Sequence, residues 1–163
     1  MLKKVLVLLL ASVVAFPLAT TMFGQDAEVF SGTASYVATF ARPSSIGQQW
    51  QLDLGQVAES ARVRLNGRDL ATLIAPPYRV VVDSAQFNAT NTLEVSVTNL
   101  SANRIRDLDL RGVPWKKFYN VNFPARLQTN RGPDGLFSAA KWTPLPSGLA
   151  GPVTLTPLKP KSF

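Results

Sequence analysis

The sequence contains neither cysteine nor histidine. Lack of cysteine excludes disulfides, thiol chemistry and a lipoprotein anchor, so a domain exported to an oxidising compartment would be held by its core alone. Lack of histidine excludes Ser-His triads and His-ligated metals. Acidic residues are few, with 10 Asp and Glu against 17 Lys and Arg and a formal net charge of +7. No dense acidic loop suited to calcium is visible, and no cofactor or metal is expected. A hydrophobic run of membrane-spanning length is missing too. The longest, Val5 to Ala19, has about fifteen residues, short of the roughly twenty that a spanning helix needs.

That run follows Lys3 and Lys4 and gives way to Pro17, Thr20 and Thr21. A charged start, an apolar middle and a small polar exit make residues 1–24 a secretory signal peptide, cut after Gly24 or, as another candidate, after Ala19. An uncleaved anchor is the alternative reading. Residues 25–163 are then one domain, exported to the periplasm or secreted, without a permanent membrane anchor; they are enough for one real core and too few for two.

The remaining charge is uneven. From Ser101 onward ten Lys and Arg face only Asp107, Asp109 and Asp134. Such a basic third can meet nucleic acid, anionic lipid or acidic polysaccharide, or be a solvated surface. Export and the scattering of the basic residues singly or in pairs argue against nucleic acid.

Hydrophobic periodicity is two almost throughout. Ala34, Tyr36, Ala38 and Phe40 alternate with Thr33, Ser35, Val37 and Thr39, and Trp50, Leu52 and Leu54 with Gln49, Gln51 and Asp53, so both segments read as half-buried strands with Trp50 in the core. Ala61, Val63 and Leu65 alternate up to Asn66-Gly67, whose two residues supply the positive φ values of a type I′ hairpin turn. Pro76-Pro77 breaks the chain before Tyr78, Val80 and Val82, and Leu93, Val95 and Val97 form another strand. Arg104 to Leu110 mixes periods and reads as an irregular strand or loop. Tyr119, Val121 and Phe123 alternate again, 124–146 reads as a long surface loop, and Val153–Thr156, fenced by Pro152 and Pro157, reads as an edge strand. Short strands at close spacing, with no convincing helix, predict an all-β sandwich.

Several segments in order carry a resemblance: Leu52-Asp53-Leu54-Gly55, Ala61 to Gly67, Ala75-Pro76-Pro77-Tyr78-Arg79-Val80, Asn91 to Leu100, Asn103-Arg104-Ile105, and Leu145 to Leu155. Together they resemble the sugar-binding jelly roll of glycoside hydrolase family 2 enzymes, and are most similar to the C-terminal domain of family 106 α-L-rhamnosidases. The resemblance spans roughly residues 31–158 and implies a galactose-binding-like jelly-roll β-sandwich associated with glycans. It also implies no catalysis, because the catalytic carboxylates of those enzymes sit in a separate barrel that this sequence lacks.

A glycosidase needs an acid and a base or nucleophile about 5 to 9.5 Å apart. Asp107 and Asp109 lie two apart in sequence and would share a face of an extended strand at about 6–7 Å. Arg104, Arg106 and Arg111 around them would hold both ionised, which suits neither a general acid nor a shared proton. A sugar site would instead combine an aromatic platform with forked polar groups. Outside the alternating core positions those are Trp115 with Lys116, Trp142, and the strand-end set Asn99, Asn103 and Arg104. Each tryptophan could equally plug a loop onto the sandwich, and each asparagine could serve a local turn. Asn130, Arg131 and Asp134 form a further polar loop set without a sharper assignment. Three functions stay open: a glycan- or oligosaccharide-binding accessory module, a minimal glycosidase, and a β-sandwich that packs on a partner glycoside hydrolase.

Overall fold

The structure is a computed structural model of the 163-residue chain and describes residues 14–16, 29–44, 49–117 and 123–158. The expected leader, apart from Val14–Phe16, and the expected alternation at Tyr119 and Val121 lie outside the described residues. Ten strands and one helix follow in order: β1 Val14–Phe16, β2 Thr33–Ala41, β3 Gln49–Asp53, β4 Gln56–Ala58, β5 Ser60–Leu65, β6 Arg68–Leu73, β7 Arg79–Asp83, β8 Thr90–Thr98, α1 Ala102–Leu110, β9 Gly148–Gly151 and β10 Val153–Pro157. Among the elements of the described residues, the fold is all-β apart from this short helix and three single-turn 3₁₀ segments.

Two antiparallel four-stranded sheets, ordered β1-β10-β3-β7 and β2-β8-β5-β6, face each other, and β4-β9 forms a small third sheet. Alternation decides what lies between the sheets. Tyr36, Val95 and Val63 stand side by side in one row of the second sheet, and Leu155, Leu52 and Val80 in one row of the first. Their side chains meet in one core, at whose centre Trp50, Leu54, Val63, Val95 and Leu155 are at most 1% exposed. Trp50 is core, as its phase predicts, and its indole N–H donates to Ser84 Oγ at 3.1 Å. The Asn66-Gly67 turn has φ of 52° and 77°, the positive pair that a type I′ hairpin requires. Asn66 also ties the turn inward, accepting from Thr92 N and donating to the fully buried Asn91.

Three expectations change. Arg104 to Leu110 is not a strand or loop but most of α1, which ends in a Schellman stop: Gly112, at φ 64°, donates to Asp109 O, and Val113 N donates to Leu108 O. Segment 124–146 is not a loose surface loop. It contains short 3₁₀ turns at Phe123–Arg126 and Gln128–Asn130 and its own small core of Ala125, Phe137 and Ala139, onto which Ile105, Trp115 and Trp142 pack. Strand β10 is not an edge, because β1 pairs with it through Val14↔Leu155 and Phe16↔Val153.

Candidate functional site

The helix places Asp107 and Asp109 on different sides, since two residues along an α-helix turn through about 200°. Asp107 takes ion pairs from Arg104 at 3.2 Å and Arg111 at 2.8 Å. Asp109 points the other way, onto the small second core, with its side chain only 5% exposed. It accepts from Trp115 Nε1 at 2.7 Å, Lys116 Nζ at 2.8 Å and Ala139 N at 2.7 Å. Burial pushes its carboxyl up, but the Lys116 ammonium and the Ala139 and Trp115 N–H groups outweigh burial and hold it below the usual carboxylate range. The close acidic pair anticipated on a strand therefore does not exist.

Around Asp109 the chain builds a cleft of about 380 Å³ whose walls include Asp109, Trp115, Lys116, Asp134, Phe137 and Ser138. That lies within the ~300–1,000 Å³ range of small-ligand sites. One wall comes from the stretch after the helix stop. The other is a tight reversal closed by Arg131↔Phe137 pairing and by Gly132 N donating to Leu136 O at 2.8 Å, with Gly135 at φ 72° and Asp134 Oδ1 accepting from Leu136 N. Lys116 sits between the walls, its Nζ 5.5 Å from the Trp115 ring centroid and 5.7 Å from that of Phe137. An ammonium over two ring faces and against one carboxylate is fixed in direction and largely neutralised. A firm aromatic wall with an oriented N⁺–H, a carboxylate and a hydroxyl can grip a neutral polyhydroxy ring.

The other anticipated residues separate by role. Trp142 lies behind the cleft wall, edge-on to Phe137 at 5.7 Å, and donates its indole N–H to the buried Asn130 at 2.9 Å. Asn130 in turn donates to Pro124 O, so these two side chains tie three stretches of the segment together. Trp142→Phe keeps an aromatic ring but deletes that donor and part of the packed indole. It should lower unfolding stability by about 1–2 kcal/mol in urea titrations while leaving the cleft in place.

Asn99 and Asn103 converge on Ser147. Asn99 accepts from Gly32 N and donates to Phe30 O and Ser147 Oγ; Asn103, 3% exposed, accepts from Leu145 N and donates to Leu145 O and Ser147 Oγ. Both amides are occupied in pinning the 145–148 segment to the sandwich. Arg104 is on the outer side of α1, in its pair with Asp107. Within the basic third, Arg106 donates to Trp142 O and Arg131 to Ala125 O. Sequence reasoning missed Asp109 as a ligand of Trp115, and also Phe137 and Ser138, because these meet the helix end only across some thirty residues of chain. Among the described residues no three Asp or Glu side chains gather as a metal site would require, and no helix is long and apolar enough to cross a membrane.

No family model matches the chain. Over 154 residues it is 37% identical to a protein of Formosa agariphila named for β-glucuronidase activity, an alignment covering 82% of this chain and 13% of that protein. A rhamnosidase from Novosphingobium sp. PP1Y superposes with a TM-score of 0.60 at 30% identity, over 78% of this chain and 11% of the enzyme. The chain is similar in sequence and structure to a β-rich part of glycoside hydrolases. It spans only about an eighth of the length of the proteins it matches. The similarity reaches most of this chain but a small part of either relative, as expected of one module within a longer architecture.

Proposed function

We propose that the chain is an exported, non-catalytic carbohydrate-binding or accessory module of the galactose-binding jelly-roll type, with the Trp115–Lys116 cleft as its sugar site. The observation that carries this reading is the cleft itself: an aromatic wall, an ammonium held in direction by a buried carboxylate, and a size suited to a small ring. Export rests on the Lys3-Lys4 start and apolar run of residues 1–24; cleavage after Gly24 would remove β1 and leave the first sheet ending on β10, fenced by Pro152 and Pro157.

Asp109 lines the cleft but holds three donors and is kept ionised, so it lacks the proton of a general acid and most of its lone pairs are already committed. Asp134 faces the same cleft and spends one oxygen on its own turn. Turnover of aryl rhamnosides or galactosides that disappears in both Asp109→Asn and Asp134→Asn would establish the opposite, a minimal glycosidase.

The binding test is affinity electrophoresis of the mature protein in gels containing plant and microbial polysaccharides, beside Trp115→Ala. Wild type should be retarded by at least one glycan, and the variant should lose about 1–3 kcal/mol of affinity while still unfolding in a single cooperative transition, at somewhat lower stability. Retardation equal in the two proteins would remove the cleft from the account. A protein that no glycan retards, but that a glycoside hydrolase captures, would be the partner-packing sandwich instead.

A further inference from the structure

Strand β2 forms one edge of the β2-β8-β5-β6 sheet. Its phase is fixed at both ends: Asn99 N donates to Gly32 O and Arg42 N to Ala89 O, so the even-numbered residues of β2 exchange their backbone bonds with β8. The odd-numbered residues Thr33, Ser35, Val37, Thr39 and Ala41 therefore turn N–H and C=O away from the sheet, and among the described residues none of these outward groups has a partner. Such a row is a template for another strand.

The other edges carry the usual protections. β6 opens with Arg68-Asp69 and its pairing with β5 shifts register at Val63/Arg64; β7 is bounded by Arg79 and Asp83; β1 is only three residues long. β2 has none of these within it, Arg42 and Pro43 coming only after its last residue. It runs nine residues in unbroken register, contains no charge and no proline, and exposes Val37 at 60%. In a chain with net charge +7, this uncharged row is also where two copies can approach without repulsion.

We propose that β2 is a self-association edge, pairing antiparallel with β2 of a second copy about a two-fold axis at Val37. The sequence is self-complementary in that register. All outward-turned positions then meet outward-turned positions, Val37 opposite Val37, Ser35 opposite Thr39 and Thr33 opposite Ala41, giving on the order of ten N–H···O bonds. The core-side residues match by size as well, with half-buried Phe40 opposite the half-buried Ala34 of the other copy. The result is one continuous eight-stranded sheet with both β2 edges closed.

Sedimentation equilibrium on the wild-type chain between about 1 and 100 μM tests this, beside Val37→Lys and Val37→Pro, where proline deletes only an outward N–H. Wild type should be dimeric at the upper end. Both variants should dissociate at least tenfold more readily while keeping the wild-type circular dichroism spectrum and melting temperature. If Val37→Pro fails that folding control, Val37→Lys alone decides. In the wild type, amide exchange at Ser35, Val37 and Thr39 should slow with rising concentration, whereas Tyr36 and Ala38 should not respond. A wild type monomeric at 100 μM, or a dimer unaffected by Val37→Lys, would overturn the proposal; the first outcome would leave a foreign strand as the partner of β2.

Discussion

Replacing Asp109 with alanine should cost about 3 kcal/mol or more of folding stability, the largest effect expected of any change in the cleft. The carboxylate is nearly buried and gathers three donors, one of them the Lys116 ammonium, whose side chain is only 15% exposed. Removing it leaves a sequestered cation and two N–H groups without acceptors, which costs more than the net value of the bonds. Asp109→Asn should fall between, keeping shape and part of the acceptor capacity but not the charge. Acid sensitivity follows with a definite sign. The folded-state pKa of Asp109 is depressed, so its contribution is fully present above the unfolded value near 4 and is lost as pH falls through the folded value. Urea titrations from pH 6 down to pH 2 should show the stability gap between wild type and Asp109→Asn closing below about pH 4. Asp53, depressed similarly despite the opposing effect of burial, by Gly55 N and Arg79, contributes equally to both proteins and cancels from the comparison. A gap constant across that range would mean that the carboxylate is not ionised against Lys116.

Gly55→Ala should be nearly as damaging, about 3–4 kcal/mol and roughly 10 °C in melting temperature. Gly55 has φ 65°, and a Cβ there would land on the carbonyl of Gly151. Both partners of that contact are backbone, so no side chain can swing aside. Gly67→Ala is the matched control, with φ 77° but open space around its Cβ position, and should cost only about 1–2 kcal/mol. Equal losses in the two variants would show that the Gly55–Gly151 approach carries no energetic weight.

This contact also explains what the sequence resemblance consisted of. Leu52-Asp53-Leu54-Gly55 and the segment ending Gly148-Leu149-Ala150-Gly151-Pro152 meet backbone to backbone, Tyr78 donates to Glu59 O, and Asn99 and Asn103 pin the 145–148 segment. The recurring pieces are framework, which is why they disclosed the fold well and the site poorly. Strands β2, β3, β5 and β8 were legible because each buries one face, and burial imposes a period of two. Helix α1 was not. Asp107/Asp109 and Leu108/Leu110 imitate strand alternation, while the helical signals are only Ile105 and Leu108 three apart and the stopping Gly112.

The candidate site was half legible. Trp115 and Lys116 stood out as an aromatic and a cation away from the core pattern, and they do line the cleft. Phe137 and Ser138 did not, and Asp109 stood out only in an acidic pair with Asp107, because only the packing of α1 against residues 125–139 brings them together. Trp142 looked equivalent to Trp115 in sequence and differs by one bond, its indole N–H being given to Asn130 behind the wall.

Those indole bonds supply the most direct test of the central claim, that the Trp115–Lys116 cleft holds sugar. The chain has three tryptophans, each donating its N–H to a different acceptor: Trp50 to Ser84, Trp115 to Asp109 and Trp142 to Asn130. Each should give its own indole resonance in an amide-correlated NMR spectrum. Titration with oligosaccharides from a retarding glycan should move the Trp115 indole signal saturably, shift Trp142 weakly and leave Trp50 in place. Saturable binding that leaves the Trp115 signal unmoved would contradict the account and put the sugar elsewhere on the sandwich.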